Sequence, residues 1–320
     1  MLCRHGRPDV LELVDVPVPE PASGEVRVAL GAMGVNGRDG AIRSGAYRRD
    51  LPLIPGIEGA GVVDAVGDGV KGWEMGDRVV SYTPDRLGAY AEFQVVPTGR
   101  LARLPDQLSF EDAAALFDQG LTAHYLATTT FPLHQGHRVL VHGAAGGVGS
   151  LLLQFAKRAG ATVFGTVSTP EKVALIKSLG ADEAILHGET DFVAAIMELT
   201  GGEGVHVVYD SVGRDTFLGS VRCVIRRGML VLYGQTSGPV TTIDPAQLAD
   251  QGSVFFTRPH LLDHIATRSE LDRRSRDIFS WYLRGEVTVL VDEVYPLAAA
   301  ADAHRRLEDR SRSGKILLLP

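Results

Sequence analysis

An apolar run that breaks into glycines and then into a helical pattern constrains this chain more than any other stretch. Residues 139–141 are aliphatic, residues 142–149 read His-Gly-Ala-Ala-Gly-Gly-Val-Gly, and apolar side chains recur at helical spacing over residues 150–160. This order predicts a strand, a tight turn and a helix. Such a turn leaves backbone N–H groups free at the helix N-terminus, and Gly146 and Gly147 carry no side chain that would keep a pyrophosphate away. We therefore expect a dinucleotide-binding site.

The glycine cluster differs at one position from the G-x-G-x-x-G fingerprint of dinucleotide-binding folds. Ala144 stands where the first glycine is usual, while Gly146 and Gly149 hold the other two positions. A glycine-rich turn can also be purely structural. The run at residues 162–166 reads as a second strand and completes a β-α-β unit of the expected length. This context favours the dinucleotide site over the structural turn.

The residues after the second strand indicate the type of cofactor. An NAD site usually has Asp or Glu there, about 20 residues past the glycines, to accept a hydrogen bond from the ribose 2′-hydroxyl. This chain has Val167 and Ser168 instead, followed by Thr169 and Lys172. Hydroxyl donors and a cation suit a 2′-phosphate, so the pattern favours NADPH. In the alternative interpretation, Thr169 only caps the next helix, Pro170 occupies its first turn and Lys172 is solvated.

Composition excludes several other classes of protein. The chain has 320 residues, 45% of them hydrophobic, which suffices for a large core and suggests about two domains. The net charge of −7 argues against a nucleic-acid groove, and no apolar run reaches transmembrane length. The first residues lack the apolar core of a signal peptide, so we expect a cytoplasmic protein. Two cysteines, Cys3 and Cys223, are too few for a disulfide framework or a Cys-rich zinc lobe.

The order of predicted elements indicates two kinds of domain. Short strands with glycine and proline punctuation over residues 10–96 predict a small β-barrel-like domain. Strands and helices then alternate to about residue 259, which predicts an α/β domain with a parallel, doubly wound sheet. The last part returns to a helix, a strand at residues 287–291, a second helix and a terminal strand. We expect this last part to pack on the first domain, and the charged residues 273–277 to form the solvated face of a helix.

Five short motifs occur in a fixed order along the chain. They lie at residues 55–61 (Pro-Gly-Ile-Glu-Gly-Ala-Gly), 76–79 (Gly-Asp-Arg-Val), 144–149, 209–213 (Tyr-Asp-Ser-Val-Gly) and 257–259 (Thr-Arg-Pro). With these motifs in register, the whole chain resembles the zinc-free medium-chain dehydrogenases/reductases, most of all NADPH:quinone oxidoreductases of the ζ-crystallin type. The resemblance implies a GroES-like catalytic domain built from residues 1–120 and 261–320, and a Rossmann domain over residues 121–260. It also implies a homodimer, joined through the edge of the Rossmann sheet.

The apolar run at residues 253–256 could supply that edge, or could equally be an interior strand.

Catalytic zinc needs three protein ligands of Cys, His or carboxylate type. Zinc-dependent relatives carry His at the position of Ile57 and Cys at the position of Asn36, so we expect no metal in this chain. Without a Lewis acid, alcohol oxidation is disfavoured. A quinone does not need one, because it accepts hydride readily and its reduced product is aromatic.

The resemblance also implies roles for individual residues. It assigns the pyrophosphate to Gly146, Gly147, Val148 and Gly149, the 2′-phosphate to Ser168 and Lys172, the adenosine end to His187 and Ser211, and the nicotinamide surroundings to Tyr233, Gly234, Gln235 and Thr257. Asn36 and Thr122 are expected at the nicotinamide ribose and the substrate cleft, and Tyr47 beside the quinone. Relatives often have tyrosine where this chain has Ala41, and its loss should widen the cleft.

Several of these residues have a structural alternative. His187 could be a surface histidine, and Tyr47 could simply pack against the protein. Asn36, flanked by two glycines, could be a turn residue in a left-handed conformation. Arg258 could be an ion-pair partner. For these residues the sequence by itself leaves both interpretations open.

The predicted function is NADPH-dependent reduction of small quinones by hydride transfer, without zinc and without an obligatory general acid. One alternative is reduction of the activated double bond of an enal or enone on the same fold. An alternative of another class is a non-catalytic, NADPH-loaded binding or structural protein, as in crystallins. The acidic net charge disfavours a nucleic-acid partner, and no membrane partner is expected.

Overall fold

The computed structural model describes residues 1–320, in thirteen strands and ten α-helices. The strands are β1 Glu25–Val35, β2 Glu58–Val66, β3 Arg78–Tyr82, β4 Phe93–Pro97, β5 Leu101–Arg103, β6 Arg138–Val141, β7 Thr162–Val167, β8 Glu183–Leu186, β9 Val205–Asp210, β10 Val224–Leu232, β11 Phe255–Thr257, β12 Val291–Pro296 and β13 Lys315–Leu319. The helices are α1 Gly37–Ser44, α2 Phe110–Tyr125, α3 Gly147–Arg158, α4 Pro170–Ser178, α5 Phe192–Leu199, α6 Phe217–Cys223, α7 Pro245–Asp250, α8 Leu261–His264, α9 Arg268–Leu283 and α10 Ala300–Glu308. No helix combines the length and the apolar character that crossing a membrane requires.

The chain divides into two compact units. The first unit comprises Met1–Asp118, Leu271–Leu283 and Val289–Pro320, and the second comprises Gln119–Glu270 and Arg284–Thr288. The expected boundary at residue 261 thus differs from the observed one. The segment after β11 stays with the second unit because the His264 ring stacks on the Tyr125 ring, with 4.1 Å between their centroids.

A seven-stranded sheet forms the first unit, in the order β12-β13-β1-β2-β3-β5, with β4 also paired to β1. Buried and half-buried residues alternate along the first half of β1, as expected for a strand with one face on a core. Val26, Val28, Val79 and Leu101 belong to that core. Strand β13 pairs antiparallel with β1, so the C-terminal strand of the chain lies in the same sheet as its first strand.

The second unit contains a six-stranded sheet in the order β11-β10-β9-β6-β7-β8. Every pairing in it is parallel, and helices α3 to α6 follow strands along the chain. Its strands are nearly continuous apolar runs, because helices cover a parallel sheet on both faces. Leu140, Ile196, Val208 and Leu230 are fully buried in its core, and each such side chain contributes about 1.5–3 kcal/mol.

The order of strands reverses between β6 and β9. From β6 the chain continues to β7 and β8 on one side, and β9, β10 and β11 then follow on the other side. Open α/β sheets bind ligands outside the carboxyl ends of their strands at such a reversal. We therefore expect a ligand site beside the carboxyl ends of β6 and β9.

Two predictions about the C-terminal part were wrong. The predicted strand at residues 287–291 is instead β12, which begins at Val291. The Gln154 side chain explains this, because it bonds both the N–H and the carbonyl of Thr288 and occupies the groups that a sheet would use. Residues 273–277 do not form a fully solvated face either, since Arg274 is buried. The predicted α/β architecture, with a parallel, doubly wound sheet in the second unit, is confirmed.

Candidate functional site

Most of the predicted cofactor residues follow the carboxyl ends of the parallel strands in the second unit. The glycine turn follows β6, Ser168 and Lys172 follow β7, His187 follows β8, Ser211 follows β9, Tyr233, Gly234 and Gln235 follow β10, and Thr257 ends β11. Because these ends meet at one edge of the sheet, the fold brings residues from six strands to the same side.

The turn after β6 is closed by its own backbone. The Gly146 N–H donates to the Gly143 carbonyl over 2.9 Å, and α3 begins at the next residue. A Cβ at Gly149 would overlap the Gly143 carbonyl oxygen, so only glycine allows the helix to approach the turn this closely. The first N–H groups of an α-helix lack intrahelical acceptors, and the helix dipole favours an anion beside them. Gly147, Val148 and Gly149 present this end.

The departure from the glycine fingerprint has a structural explanation. Ala144 is fully buried, and its N–H donates to the Thr166 carbonyl of β7 over 3.1 Å. A Cβ at Gly165 of β7 would lie only 2.8 Å from the Ala144 Cβ. The missing side chain at Gly165 therefore makes room for the methyl group that Ala144 adds to the turn.

A buried lysine lies beside the end of β7. Lys172 is only 7% exposed, in the first turn of α4, and its Nζ donates to the Ser168 Oγ over 3.3 Å. The interpretation of Lys172 as a solvated side chain is therefore wrong. Thr169 occupies the N-cap position without a side-chain capping bond. The His187 N–H donates to the Val167 carbonyl over 2.8 Å, and the side chain of His187 is exposed.

A buried polar network, which the sequence reasoning missed, joins the ends of three strands. The His142 ring contacts the Thr166 Oγ1 through Nδ1 at 3.0 Å and the Ser220 Oγ through Nε2 at 3.1 Å. Ser220 donates to Asp210 Oδ2 over 2.8 Å. The Ser220 hydroxyl can then only accept from His142, so the ring carries its proton on Nε2 and accepts from Thr166. Burial lowers the pKa of His142, which favours this neutral form, although Asp210 raises it.

This network holds two loops together. The Asp210 carboxylate accepts from the N–H groups of Val212 and Gly213, over 2.8 and 3.0 Å, and so shapes the turn after β9. The Ser211 Oγ donates to the His142 carbonyl over 2.9 Å. The turn after β9 is therefore tied to the turn after β6. In the sequence, the signal for this network was a polar residue at the end of each of two apolar runs, His142 after β6 and Asp210 at the end of β9.

The residues predicted near the nicotinamide form a second small cluster. The N–H groups of Tyr233 and Gly234 both approach the Asp210 carbonyl, at 2.9 and 3.3 Å. Gln235 accepts from the Arg258 Nη2 over 3.2 Å, so Arg258 contacts an amide here. Thr257 pairs with β10 at Val231.

Thr122 lies on α2, half-buried. It follows Gln119 by three residues, which places both on one face of the helix. A Cβ at Gly147 would overlap the Gln119 side chain, so this face of α2 lies against the glycine turn.

In the first unit, Asn36 lies between β1 and α1. Its backbone is extended, with φ −124° and ψ 155°, so the left-handed interpretation is wrong. Its Nδ2 donates to Glu58 Oε1 over 2.7 Å, and its Oδ1 accepts from the Lys315 Nζ over 2.7 Å. Lys315 also forms an ion pair with Glu58. All three residues are buried.

Two further carboxyl groups surround this ion pair. Asp39 accepts from the Asn36 N–H over 2.9 Å, and the Asp118 N–H donates to Glu58 Oε2 over 3.0 Å. Burial raises the pKa of Asp39 to about 7, against the opposing effect of the Asn36 hydrogen bond. Burial, followed by the charge of Glu58, raises the pKa of Asp118 to about 7. These carboxyl groups can therefore exchange protons near neutral pH.

The residues of the first unit do not fit a zinc ion. Ile57 is apolar and buried, and the Asn36 side chain is bound by an ammonium group whose charge would repel a second cation. No three His, Cys, Asp or Glu side chains gather where they could hold a metal ion.

Tyr47 is 37% exposed, and the Arg38 guanidinium carbon lies 5.9 Å from its ring centroid. Its N–H donates to the Ala41 carbonyl over 2.9 Å. Tyr47 and Asn36 thus belong to the first unit, whereas Thr122 and the residues at the strand ends belong to the second.

Two family models match the chain. The alcohol dehydrogenase GroES-like domain matches residues 22–106, and the zinc-binding dehydrogenase model matches residues 147–268. Among sequences, quinone oxidoreductase 1 of Escherichia coli K12 is 43% identical over 320 residues, which cover 99% of this chain and 98% of that protein. A 2-haloacrylate reductase of Burkholderia is 38% identical over 326 residues, with 99% and 97% covered.

Among solved structures, an E. coli quinone oxidoreductase complexed with NADPH superimposes with a TM-score of 0.97 at 42% identity. The superposition covers 100% of this chain and 98% of that one. Fold, motifs and sequence identity thus agree over the full length. The chain belongs to the quinone oxidoreductase family of medium-chain dehydrogenases/reductases.

Proposed function

We propose that this protein is an NADPH-dependent quinone reductase that transfers hydride to small quinones without a metal. The observation that carries the proposal is the buried Lys172, whose ammonium group is held beside Ser168 at the end of β7. An NAD site would have a carboxylate acceptor in this region, whereas a lysine and a hydroxyl donate to a 2′-phosphate. The NADPH complex of the E. coli relative supports the same cofactor.

The second unit would hold most of the cofactor. We propose that Gly146, Gly147, Val148 and Gly149 bind the pyrophosphate at the start of α3, where the N–H groups and the helix dipole attract an anion. His187 and Ser211 would flank the adenosine. Tyr233, Gly234, Gln235 and Thr257 would surround the nicotinamide ring, and Thr122 would contact its ribose. The cofactor supplies the hydride when it is bound.

The first unit would contribute Asn36 to the nicotinamide ribose and the substrate cleft, and Tyr47 beside the quinone. Asn36 is held by Lys315 and Glu58, and the partly exposed Tyr47 offers a hydroxyl. A quinone accepts hydride without a Lewis acid, and a hydroquinone anion takes its proton from water. Positioning is therefore the main contribution of these side chains.

The test is cofactor oxidation by the purified protein with a panel of acceptors. The panel contains ortho-quinones, para-quinones, enones and 2-haloacrylate, each with NADPH and with NADH. We expect turnover with quinones and a preference for NADPH. Turnover only with enones or with 2-haloacrylate would replace quinone reduction by double-bond reduction, which the Burkholderia relative supports as the second candidate. Tight NADPH binding without any turnover would favour the non-catalytic alternative.

We also propose a homodimer joined through β11. This strand is at the edge of the six-stranded sheet, and Phe255 on it is 58% exposed. An exposed apolar edge strand attracts another strand, and a second copy of β11 would pair with it. Light scattering after size exclusion would give the mass in solution. A mass of one chain at every concentration would contradict the dimer.

We infer a cytoplasmic location. Cys3 and Cys223 are both free thiols, which are typical of a reducing compartment. Fractionation of cells that produce the protein would test the location, and recovery outside the cytoplasm would contradict it.

A further inference from the structure

We infer that Lys315 and Glu58 are positioning residues, which lock the Asn36 amide in one orientation for the reaction. The inference rests on the function proposed above, because it concerns how Asn36 is presented to its ligand. The three side chains come from separate parts of the first unit. Asn36 follows β1, Glu58 begins β2 and Lys315 begins β13.

The orientation of the Asn36 amide follows from the chemistry of its two neighbours. An ammonium group only donates hydrogen bonds, and a carboxylate only accepts them. The amide oxygen must therefore face the Lys315 Nζ, at 2.7 Å, and the amide nitrogen must face Glu58 Oε1, also at 2.7 Å. A flipped amide would lose both charge-assisted hydrogen bonds and would place like partners against each other. The pair thus selects one of the two amide orientations.

The surroundings are built to accommodate this pair. A Cβ at Gly34 would overlap Glu58 Oε1 and would lie 2.7 Å from the Cε of Lys315. Glycine at this position of β1 therefore provides the space in which the two long side chains meet. The second carboxylate oxygen of Glu58 accepts from the Asp118 N–H over 3.0 Å, which restrains the carboxylate further.

The backbone of Asn36 is restrained as well. Its N–H donates to Asp39 Oδ2, and the antiparallel register of β1 with β13 pairs Val35 with Ile316, next to Lys315. Every one of these contacts lies within the first unit. The orientation of Asn36 is thus established by the protein itself, before a ligand binds.

Stability alone is a weak explanation for this ion pair. Replacing a buried ion pair by apolar side chains of similar volume is often neutral or stabilising, because two charges must be removed from water. A role in orienting Asn36 explains why a charged pair occupies a position where apolar side chains would also allow the chain to fold.

The experiment is a double-mutant cycle with Lys315→Met and Asn36→Ala. The wild type, both single variants and the double variant are assayed with NADPH and a quinone, well below their unfolding temperatures. Lys315→Met should lower kcat about tenfold or more, because misplacing a contact group slows the reaction. It should leave the Kd for NADPH within about twofold, since the second unit holds the phosphates. In the Asn36→Ala background, Lys315→Met should add less than about a twofold loss.

Glu58→Gln provides a second cycle of the same design, which covers the case in which Lys315→Met does not fold. Lys71→Met, at an exposed lysine of the same unit, is the matched control and should retain wild-type kcat. If Lys315→Met or Glu58→Gln lowers only the unfolding temperature, or if its effect on kcat multiplies fully with that of Asn36→Ala, the inference is overturned while quinone reduction stands. If the wild type fails to oxidise NADPH with every acceptor of the panel, the proposed function is overturned, and the inference is overturned with it.

Discussion

The Nζ of Lys172 donates to the Oγ of Ser168 over 3.3 Å, in the first turn of α4 just beyond β7. The ammonium group is mostly removed from solvent, and the hydroxyl lies directly beside it. A cation and a hydroxyl are thus held together at this end of the parallel sheet.

Replacing Lys172 with Ala should weaken NADPH binding about 10- to 100-fold, because a hydrogen bond to a charged group contributes about 1.5–3 kcal/mol. NADH, which lacks the 2′-phosphate, should lose much less. Fluorescence titration with both cofactors measures the two effects. Lys177→Ala is the matched control, because Lys177 lies on the same helix in an exposed ion pair with Glu183. Equal weakening of both cofactors would show that Lys172 does not bind the phosphate.

Asp210→Asn should loosen the turn after β9. The carboxylate accepts from the N–H groups of Val212 and Gly213 and from Ser220, and an amide cannot satisfy all of these donors. We expect a loss of about 1–3 kcal/mol in the free energy of unfolding, together with weaker NADPH binding. Chemical denaturation and fluorescence titration give the two values. Asp215→Asn, at an exposed ion pair with Arg214, should change neither.

Gly149→Ala should test the close approach of α3 to the glycine turn. The added methyl group would overlap the Gly143 carbonyl oxygen, so the helix or the turn must shift. Overpacking of this kind costs about 1–3 kcal/mol, and the shifted N–H groups should bind NADPH less well. Gly99→Ala is the control, because no atom lies within 4 Å of a Cβ there. A Gly149→Ala variant with wild-type stability and wild-type NADPH affinity would contradict the described geometry.

His304 should make the protein less stable as the pH falls. Burial, followed by the charge of Arg43, lowers the pKa of His304 to about 3, and its Nε2 contacts the Tyr90 hydroxyl at 3.1 Å. The unfolded chain takes up the proton below about pH 6.5, whereas the folded chain does so only near pH 3. As the pH falls from the first of these values to the second, the free energy of unfolding should therefore decrease, by up to about 1.4 kcal/mol per pH unit from this group.

His304→Gln isolates this effect from that of Asp39, whose pKa is raised to about 7 and whose contribution has the opposite sign. A raised carboxyl pKa means that the folded chain takes up the proton first, so this contribution to stability grows as the pH falls below about 7. The unfolding free energy of the variant minus that of the wild type, measured from about pH 8 to pH 4, should increase as the pH falls. A difference that does not change with pH would contradict a buried neutral His304.

Phe255→Lys should shift the proposed dimer toward single chains, because a charged side chain on an edge strand opposes strand pairing. Phe255 is exposed, so the fold of the chain should be unaffected. Light scattering as a function of concentration measures the change. Leu199→Lys, at an exposed leucine at the end of α5, is the control and should leave the mass unchanged. A dimer of unchanged strength in Phe255→Lys would place the interface elsewhere.

Much of the second unit was predictable from sequence because its signals are local. The apolar run of β6, the glycine turn and the start of α3 follow each other without a gap, and Ser168 and Lys172 come directly after the next strand. In a parallel sheet the ends of such strands must meet at one edge. Spacing along the chain therefore determined which residue types stand at that edge, and the family motifs added their proposed roles.

Only the tertiary structure decided which distant side chains are partners. Lys315 and Asn36 are 279 residues apart, and they meet because β13 pairs with β1. His142 and Ser220 are 78 residues apart, and they meet because β6 lies beside β9. A period of two or of 3.6 residues reports which face of an element is buried, but it carries no information about which strand lies next to it. Local spacing thus determined the turn that would hold a pyrophosphate, whereas strand pairing across the whole chain decided how Asn36 and His142 are held.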